Sequence, residues 1–192
     1  MSEKQRIVVA SGNRHKVKEI AQMLPEYEVV SYKDLGYDFE VEENGKTFYD
    51  NALIKAKTVA LALNLPALSD DSGICATALN GEPGIYSARY AGDGDDEHNN
   101  DLLLKNLLDK EDRSAKYVCC LVFYKPNGEI ITATGETHGK ILKERVGYNG
   151  FGYDPIFFSD DLGKSMGLAT DEEKNSVSHR FRALKKLREK LK

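Results

Sequence analysis

The spacing of apolar and polar positions changes several times along the chain, and each change marks an element. A compact apolar run at 6–10 (RIVVA) predicts a buried strand. Ser11, Gly12 and Asn13 interrupt it. Val17, Ile20, Ala21 and Leu24 then recur at helical spacing over 15–24, and Pro25 stops that helix. A short strand is expected at 27–31. Thr47, with Asp50 three residues on, has the form of a capping box. It opens a helix over 47–63 with Phe48, Ala52, Ala56, Val59, Ala60 and Leu63 as its apolar stripe. Asn51 and Lys55 lie one turn apart on another face. Pro66 closes this segment, and a strand begins at 67–69. A helix is expected at 98–108. Strands at 117–124 and 129–137 flank Pro126, Asn127 and Gly128, a hairpin signal. A terminal amphipathic helix is expected over 175–192, with Phe181, Leu184, Leu187 and Leu191 inward and Ser176 and Ser178 as candidate N-caps. Alternating strands and helices with one hairpin predict an α/β fold with a mixed sheet. Candidate site residues occur towards both ends, so a cleft closed by the whole chain is expected.

Composition narrows the class. The 192 residues suit one large domain or two small lobes sharing a core. Hydrophobic content of 41% with 30% charged residues is that of a soluble globular protein. A net charge of −4 argues against general binding to polymeric nucleic acid or an anionic membrane. An anionic substrate must then meet a local group of cations. No stretch has the length of a membrane span, and the start MSEKQR lacks an apolar signal core. Of the three cysteines, Cys119 and Cys120 are adjacent, so on a strand they face opposite ways. All three read as reduced thiols in a cytoplasm, and no Cys/His spacing suits a metal.

Four stretches carry candidate chemistry. In 68–92, Asp70, Asp71 and Ser72 meet Gly73 where an apolar run is expected to end in a tight Ser-Gly turn. Adjacent carboxylates repel unless a cation or partner offsets them. With Glu42 and Glu43 of the acidic loop 41–45 they suit Mg²⁺, which takes a few carboxylates plus water and phosphate oxygens. One aspartate could hold metal while the other orients or deprotonates water. The second stretch, Ser11, Gly12, Asn13, Arg14, His15 and Lys16, joins a strand to a helix N-terminus, where free N–H groups suit phosphate. The third, Gly150, Phe151, Gly152, Tyr153 and Asp154, lets backbone approach a planar ligand on which Phe151 can stack. The fourth places Lys174, His179 and Arg180 near a helix N-terminus, against the macrodipole. Neither a Walker loop nor G-x-G-x-x-G occurs: Phe158 stands where the first would need glycine, and Pro155 breaks the second.

Taken together, these stretches resemble the inosine triphosphate pyrophosphatase family. The matching residues are SGNRHK at 11–16 with Glu19, EENG at 42–45, TFYDNALIKA at 47–56, SDDSG at 69–73, GEPGIYSARYAG at 81–92, GFGYDPIF at 150–157 and SHR at 178–180. The resemblance covers nearly the whole chain, in order. It implies a single domain over 1–192: an elongated mixed sheet with flanking helices and two lobes around a central substrate cleft. It implies a homodimer and Mg²⁺-dependent hydrolysis of ITP, dITP and XTP to the monophosphate and pyrophosphate. Asp71 would be the general base and, with Glu42 or alternatively Glu43, a metal ligand; Asp70 would support the metal or its waters. Ser11, Asn13, Lys16, Lys55, Ser72 and Lys174 would hold phosphates. Phe151 would stack on the base, Asp154 would face its edge, and His179 and Arg180 would read the 6-carbonyl.

Other readings stay open at this point. Related pyrophosphatases for modified pyrimidine triphosphates share the phosphate logic but lack the GFGYDPIF and SHR pairing. A phosphatase forming an aspartyl-phosphate would call for D-x-D, whereas here the aspartates are adjacent. A non-catalytic nucleotide-binding regulator would have no need of Glu42, Asp70, Asp71 and Lys16 together.

Overall fold

The structure, a computed structural model, describes residues 3–192, and Met1 and Ser2 of the polar start lie outside the described residues. The strands are β1 (Arg6–Val9), β2 (Glu28–Ser31), β3 (Ala67–Ala76), β4 (Ser114–Tyr124), β5 (Ile130–Ile141), β6 (Phe157–Ser159) and β7 (Lys164–Ser165). The helices are α1 (Arg14–Met23), α2 (Phe48–Leu63), α3 (Asp96–Asn106), α4 (Asp171–Val177) and α5 (His179–Leu191). The strands form one mixed sheet in the order β2-β1-β3-β4-β5-β6-β7. β1 pairs in parallel with β2 and β3, whereas β6 is antiparallel to β5 and β7. Among the described residues, no helix is long and apolar enough to cross a membrane.

The described residues divide into two compact units. The first comprises 3–71, 119–134 and 182–192. Here strand alternation divides the core. Ile7, Val9 and Leu68 pack with Ile20 and Leu24 of α1 and with Ala183, Leu184 and Leu187 of α5. Val8, Ala10 and Ala67 pack with Ala52, Ala56, Val59 and Ala60 of α2. The α2 capping box forms as expected: Thr47 Oγ1 accepts the Asp50 N–H, and the Asp50 carboxylate accepts the Thr47 N–H. The second unit comprises 72–118 and 135–181, and its core gathers Ile74, Leu103, Leu107, Tyr117, Tyr153, Ile156, Phe157 and Met166.

The structure corrects two expected boundaries. The Ser72-Gly73 turn does not form; β3 runs on through both residues to Ala76. Gly73 is not in the left-handed region, and the alternating Ile74 and Ala76 are buried in the second core, which holds the chain extended. The terminal helix is two helices. Ser178 is extended between them (φ −65°, ψ 156°) and its hydroxyl accepts the Phe181 N–H, so it caps α5, while residues 175–177 finish α4. Gly163, Lys164 and Ser165 form no phosphate loop: Lys164 and Ser165 are β7, and Lys164 pairs with Glu173 at 2.8 Å.

Candidate active site

In the first unit, β1 and β3 lie side by side in parallel, and their pairing ends at Val9 and Leu68. Beyond that point β1 gives way to the loop at 11–13, and β3 continues into Asp70 and Asp71. In the order β2-β1-β3-β4, the connection from β1 leads to β2 on one side and that from β3 leads to β4 on the other, so the sheet reverses its order between β1 and β3. In open α/β sheets, ligands bind beyond the strand carboxyl ends at such a point.

The two-residue period sends the aspartates to opposite faces. Asp70 shares a face with Leu68 and meets Lys16 of α1, with Nζ 3.1 Å from Oδ1. Its Oδ2 accepts the Cys119 thiol at 3.3 Å. Asp71 shares a face with Ser69 and meets Lys55 of α2, with Nζ 3.1 Å from Oδ1. Lys55 Nζ also donates to the Asp70 carbonyl at 3.1 Å and lies 3.6 Å from Glu43 Oε1. The repulsion expected between neighbouring carboxylates is thus relieved by opposite orientation and a lysine for each.

Burial disfavours charge on Lys55, but Asp71, Glu43 and Asp70 more than offset it and hold its pKa above the usual lysine value. Burial pushes the Asp71 carboxyl above the ordinary aspartate value, although Lys55 and Lys16 pull it down. Asp71 Oδ2 is buried and has no hydrogen-bond partner among the described residues. Such an atom calls for a partner outside the chain. Glu42 is exposed, whereas Glu43 is half-buried beside Lys55; the geometry therefore points to Glu43 as the acidic-loop member of this group. The loop is anchored by Asn51, whose Oδ1 accepts the Gly45 N–H at 2.8 Å.

The loop at 11–16 is shaped from within. Asn13 Oδ1 accepts the His15 and Lys16 N–H groups, capping α1, and Ser11 Oγ accepts the Asn13 N–H. These oxygens were expected to face phosphate; helix capping engages them first. Gly12, Arg14 and His15 are exposed, and Arg14 lies 4.0 Å from Asp34 rather than beside the aspartates of β3.

In the second unit, Asp154 is buried and claimed by protein donors. Lys174 Nζ is 2.7 Å from Oδ2, the Phe151 N–H is 3.1 Å from the same oxygen, and the Tyr117 hydroxyl is 3.1 Å from Oδ1. A Cβ on Gly150 would lie 2.1 Å from Asp154 Oδ2, so this close approach requires glycine. Lys174 Nζ stands 4.3 Å from the Phe151 ring centre and the Arg180 guanidinium 5.9 Å. Arg180 is buried and donates to Ser72 Oγ at 3.3 Å. His179 stacks on Tyr117 with centroids 4.7 Å apart. Asp96 and Asn100 of α3 hold Gly152 through its N–H and carbonyl, and the Tyr153 hydroxyl donates to the Ser87 carbonyl. Asp154 therefore orients Lys174 and the loop instead of presenting a free edge, and Lys174 reaches the Phe151 ring from there. Tyr117, Cys119 and the anchoring contact of Asn51 were not singled out by sequence.

A sequence profile described as the Ham1 family matches residues 7–190. The chain belongs to the Ham1 family. A relative from Staphylococcus epidermidis named dITP/XTP pyrophosphatase is 46% identical over 96% of this chain and 95% of its own length. A second of the same name, from Campylobacter jejuni, is 43% identical over 93% of each chain. The solved structure of the Staphylococcus aureus Ham1 protein superposes with a TM-score of 0.89 at 43% identity, covering 97% of this chain and 98% of the other. The Ham1 likeness thus extends over both units.

Proposed function

We propose that this chain hydrolyses the non-canonical purine nucleoside triphosphates ITP, dITP and XTP to the monophosphate and pyrophosphate. The observation that carries the reading is Asp71: a buried carboxylate with a raised pKa, Oδ1 held by Lys55 and Oδ2 left unpartnered, in a Ham1 chain. A general base works best when its pKa is moved towards the working pH. Asp71 accepts a proton from water as the water oxygen attacks the α-phosphorus. The bond from that phosphorus to the bridging oxygen breaks, and pyrophosphate leaves. Lys55 and Lys16 supply positive charge for phosphate oxygens. Ser11 and Asn13 shape the loop that presents backbone N–H groups, and Ser72 adds a further contact.

The donor set fits Mg²⁺. Glu43 and Asp71 offer carboxylate oxygens, one of them unpartnered, and Mg²⁺ uses one or two carboxylates with water and phosphate. When bound, the ion neutralises phosphate charge. Phe151 stacks on the base, with Lys174 oriented by Asp154 beside it. His179 and Arg180 donate to the 6-carbonyl of hypoxanthine or xanthine, and adenine, with an amino donor there, offers them no acceptor at that position. Homodimerisation and a cytoplasmic setting, which the resemblance and the reduced thiols favour, belong to the same proposal.

The test is a product assay on ITP, XTP, dGTP and ATP, with and without Mg²⁺. Monophosphate with pyrophosphate from ITP and XTP, and little from ATP, supports the reading. Inorganic phosphate as the product, or binding without turnover, overturns it.

A further inference from the structure

Tyr117 joins two groups that the proposed function assigns to the base. It lies on β4, in the core of the second unit, and is buried. One face of its ring is parallel to His179, at 9° and 4.7 Å. Its ring also packs on Phe157 at 4.6 Å, which fixes the plane from another direction. Its hydroxyl donates to Asp154 Oδ1 at 3.1 Å, and the other oxygen of that carboxylate takes Lys174 Nζ at 2.7 Å. Lys174 in turn covers the Phe151 ring. A single side chain therefore fixes the plane of His179 and, through Asp154, the place of Lys174.

We propose that Tyr117 is a positioning residue for base selection, acting on His179 by ring stacking and on Lys174 through Asp154. The inference rests on the functional reading above. Burial, with Asp154 alongside, pushes the Tyr117 hydroxyl well above its ordinary pKa, so it remains a donor across the working range. A hydrogen bond to a buried carboxylate is among the stronger ones, and its loss lets that carboxylate and its lysine partner shift. A small displacement of recognition groups weakens discrimination more than it weakens chemistry at the phosphates.

The experiment compares wild type, Tyr117→Phe and Tyr117→Leu for kcat and KM on ITP, XTP and ATP, with Mg²⁺ present and thermal melts recorded. Tyr117→Phe keeps the ring and loses the hydroxyl. It should raise KM for ITP and XTP about tenfold, leave kcat within about twofold and leave ATP unchanged, so the preference for ITP over ATP falls about tenfold. Tyr117→Leu also loses the stack and should lose more of that preference. Asp154→Asn weakens the same hydrogen bond from the acceptor side and should reproduce the loss, whether or not the Tyr117 variants fold. A purely structural role would lower the melting temperature without changing the ITP-to-ATP ratio. An active wild type whose ratio stays within about twofold in Tyr117→Phe, or in Asp154→Asn should the former not fold, overturns the role of Tyr117 alone. A wild type that releases no pyrophosphate from ITP overturns the functional reading and this inference with it.

Discussion

Lys55 Nζ sits 3.1 Å from the main-chain carbonyl of Asp70 and 3.1 Å from the side chain of Asp71. One ammonium group therefore fixes both the path of β3 and the orientation of the carboxylate it carries. Only 12% of the Lys55 side chain and 8% of the Asp71 side chain are exposed, so solvent cannot replace either partner. Lys55→Met should cost about 3 kcal/mol, because it leaves a buried carboxylate uncompensated. Lys55→Met combined with Asp71→Asn should recover part of that loss. Urea unfolding of the two single variants and the double variant measures the coupling directly.

Asp71→Asn should separate activity from stability. Burial raises the folded pKa of Asp71 above its ordinary 3.8. The stability contributed by its protonated form is present below the unfolded pKa and is lost as pH rises through the folded one. At neutral pH burial makes the charged carboxylate costly in itself, while its pairing with Lys55 offsets part of that cost. We expect turnover of ITP to fall at least about a hundredfold, with the fold retained and a melting temperature at pH 7 lowered less than in Lys55→Met, because Lys55 keeps Glu43 and the Asp70 carbonyl. Turnover near wild type in the folded variant would contradict the assignment. Carboxyl NMR on the metal-free protein should place the Asp71 midpoint above that of an ordinary aspartate.

The two acidic-loop glutamates should differ in their effect on metal dependence. Glu43 lies 3.6 Å from Lys55, whereas Glu42 is exposed. Glu43→Gln should raise the Mg²⁺ concentration for half-maximal turnover about tenfold or more, while Glu42→Gln should stay within about twofold. A magnesium titration at saturating ITP decides between them. The reverse ranking would move the assignment to Glu42.

Gly45 controls where that loop lies. A Cβ there would stand 2.5 Å from the Asp50 Cβ and 2.6 Å from Asn51 Oδ1, both part of the α2 N-terminus. Gly45→Ala should therefore push the loop away and break the Gly45–Asn51 hydrogen bond. We expect a raised Mg²⁺ requirement like that of Glu43→Gln, with a stability loss of about 1–2 kcal/mol. Wild-type magnesium dependence in this variant would show that the loop position does not matter.

Local signals in the sequence marked most elements. Thr47 and Asp50 sit at the spacing of a capping box, and α2 starts there; the 6–10 run and its break at Ser11 locate β1 and the loop after it. The misplaced turn at Ser72 and Gly73 shows where local reasoning stops. Those residues favour a turn, but the burial of Ile74 and Ala76, which depends on distant partners, keeps the strand straight. Asp70 and Asp71 were legible as a pair, yet their assignment to different faces needed the strand to continue. Tyr117 and Cys119 sit in an apolar run where a polar tip looks like any core aromatic or thiol. Only the arrival of Asp154 and Asp70 from elsewhere in the chain gives those tips partners.

The division of the chain between the two units has a consequence for the order in which the first one can fold. Ile7 and Val9 join a core that Ala183, Leu184 and Leu187 of α5 close. Arg188 reaches back to Glu26 across the same join, with Nε 2.6 Å from Oε1. The face of β1 that meets α5 therefore stays uncovered until α5 docks, whatever else of this unit has formed. Proteolytic nicks in the last two turns of α5 would expose that face, and limited proteolysis should then find the β1 region cut as well.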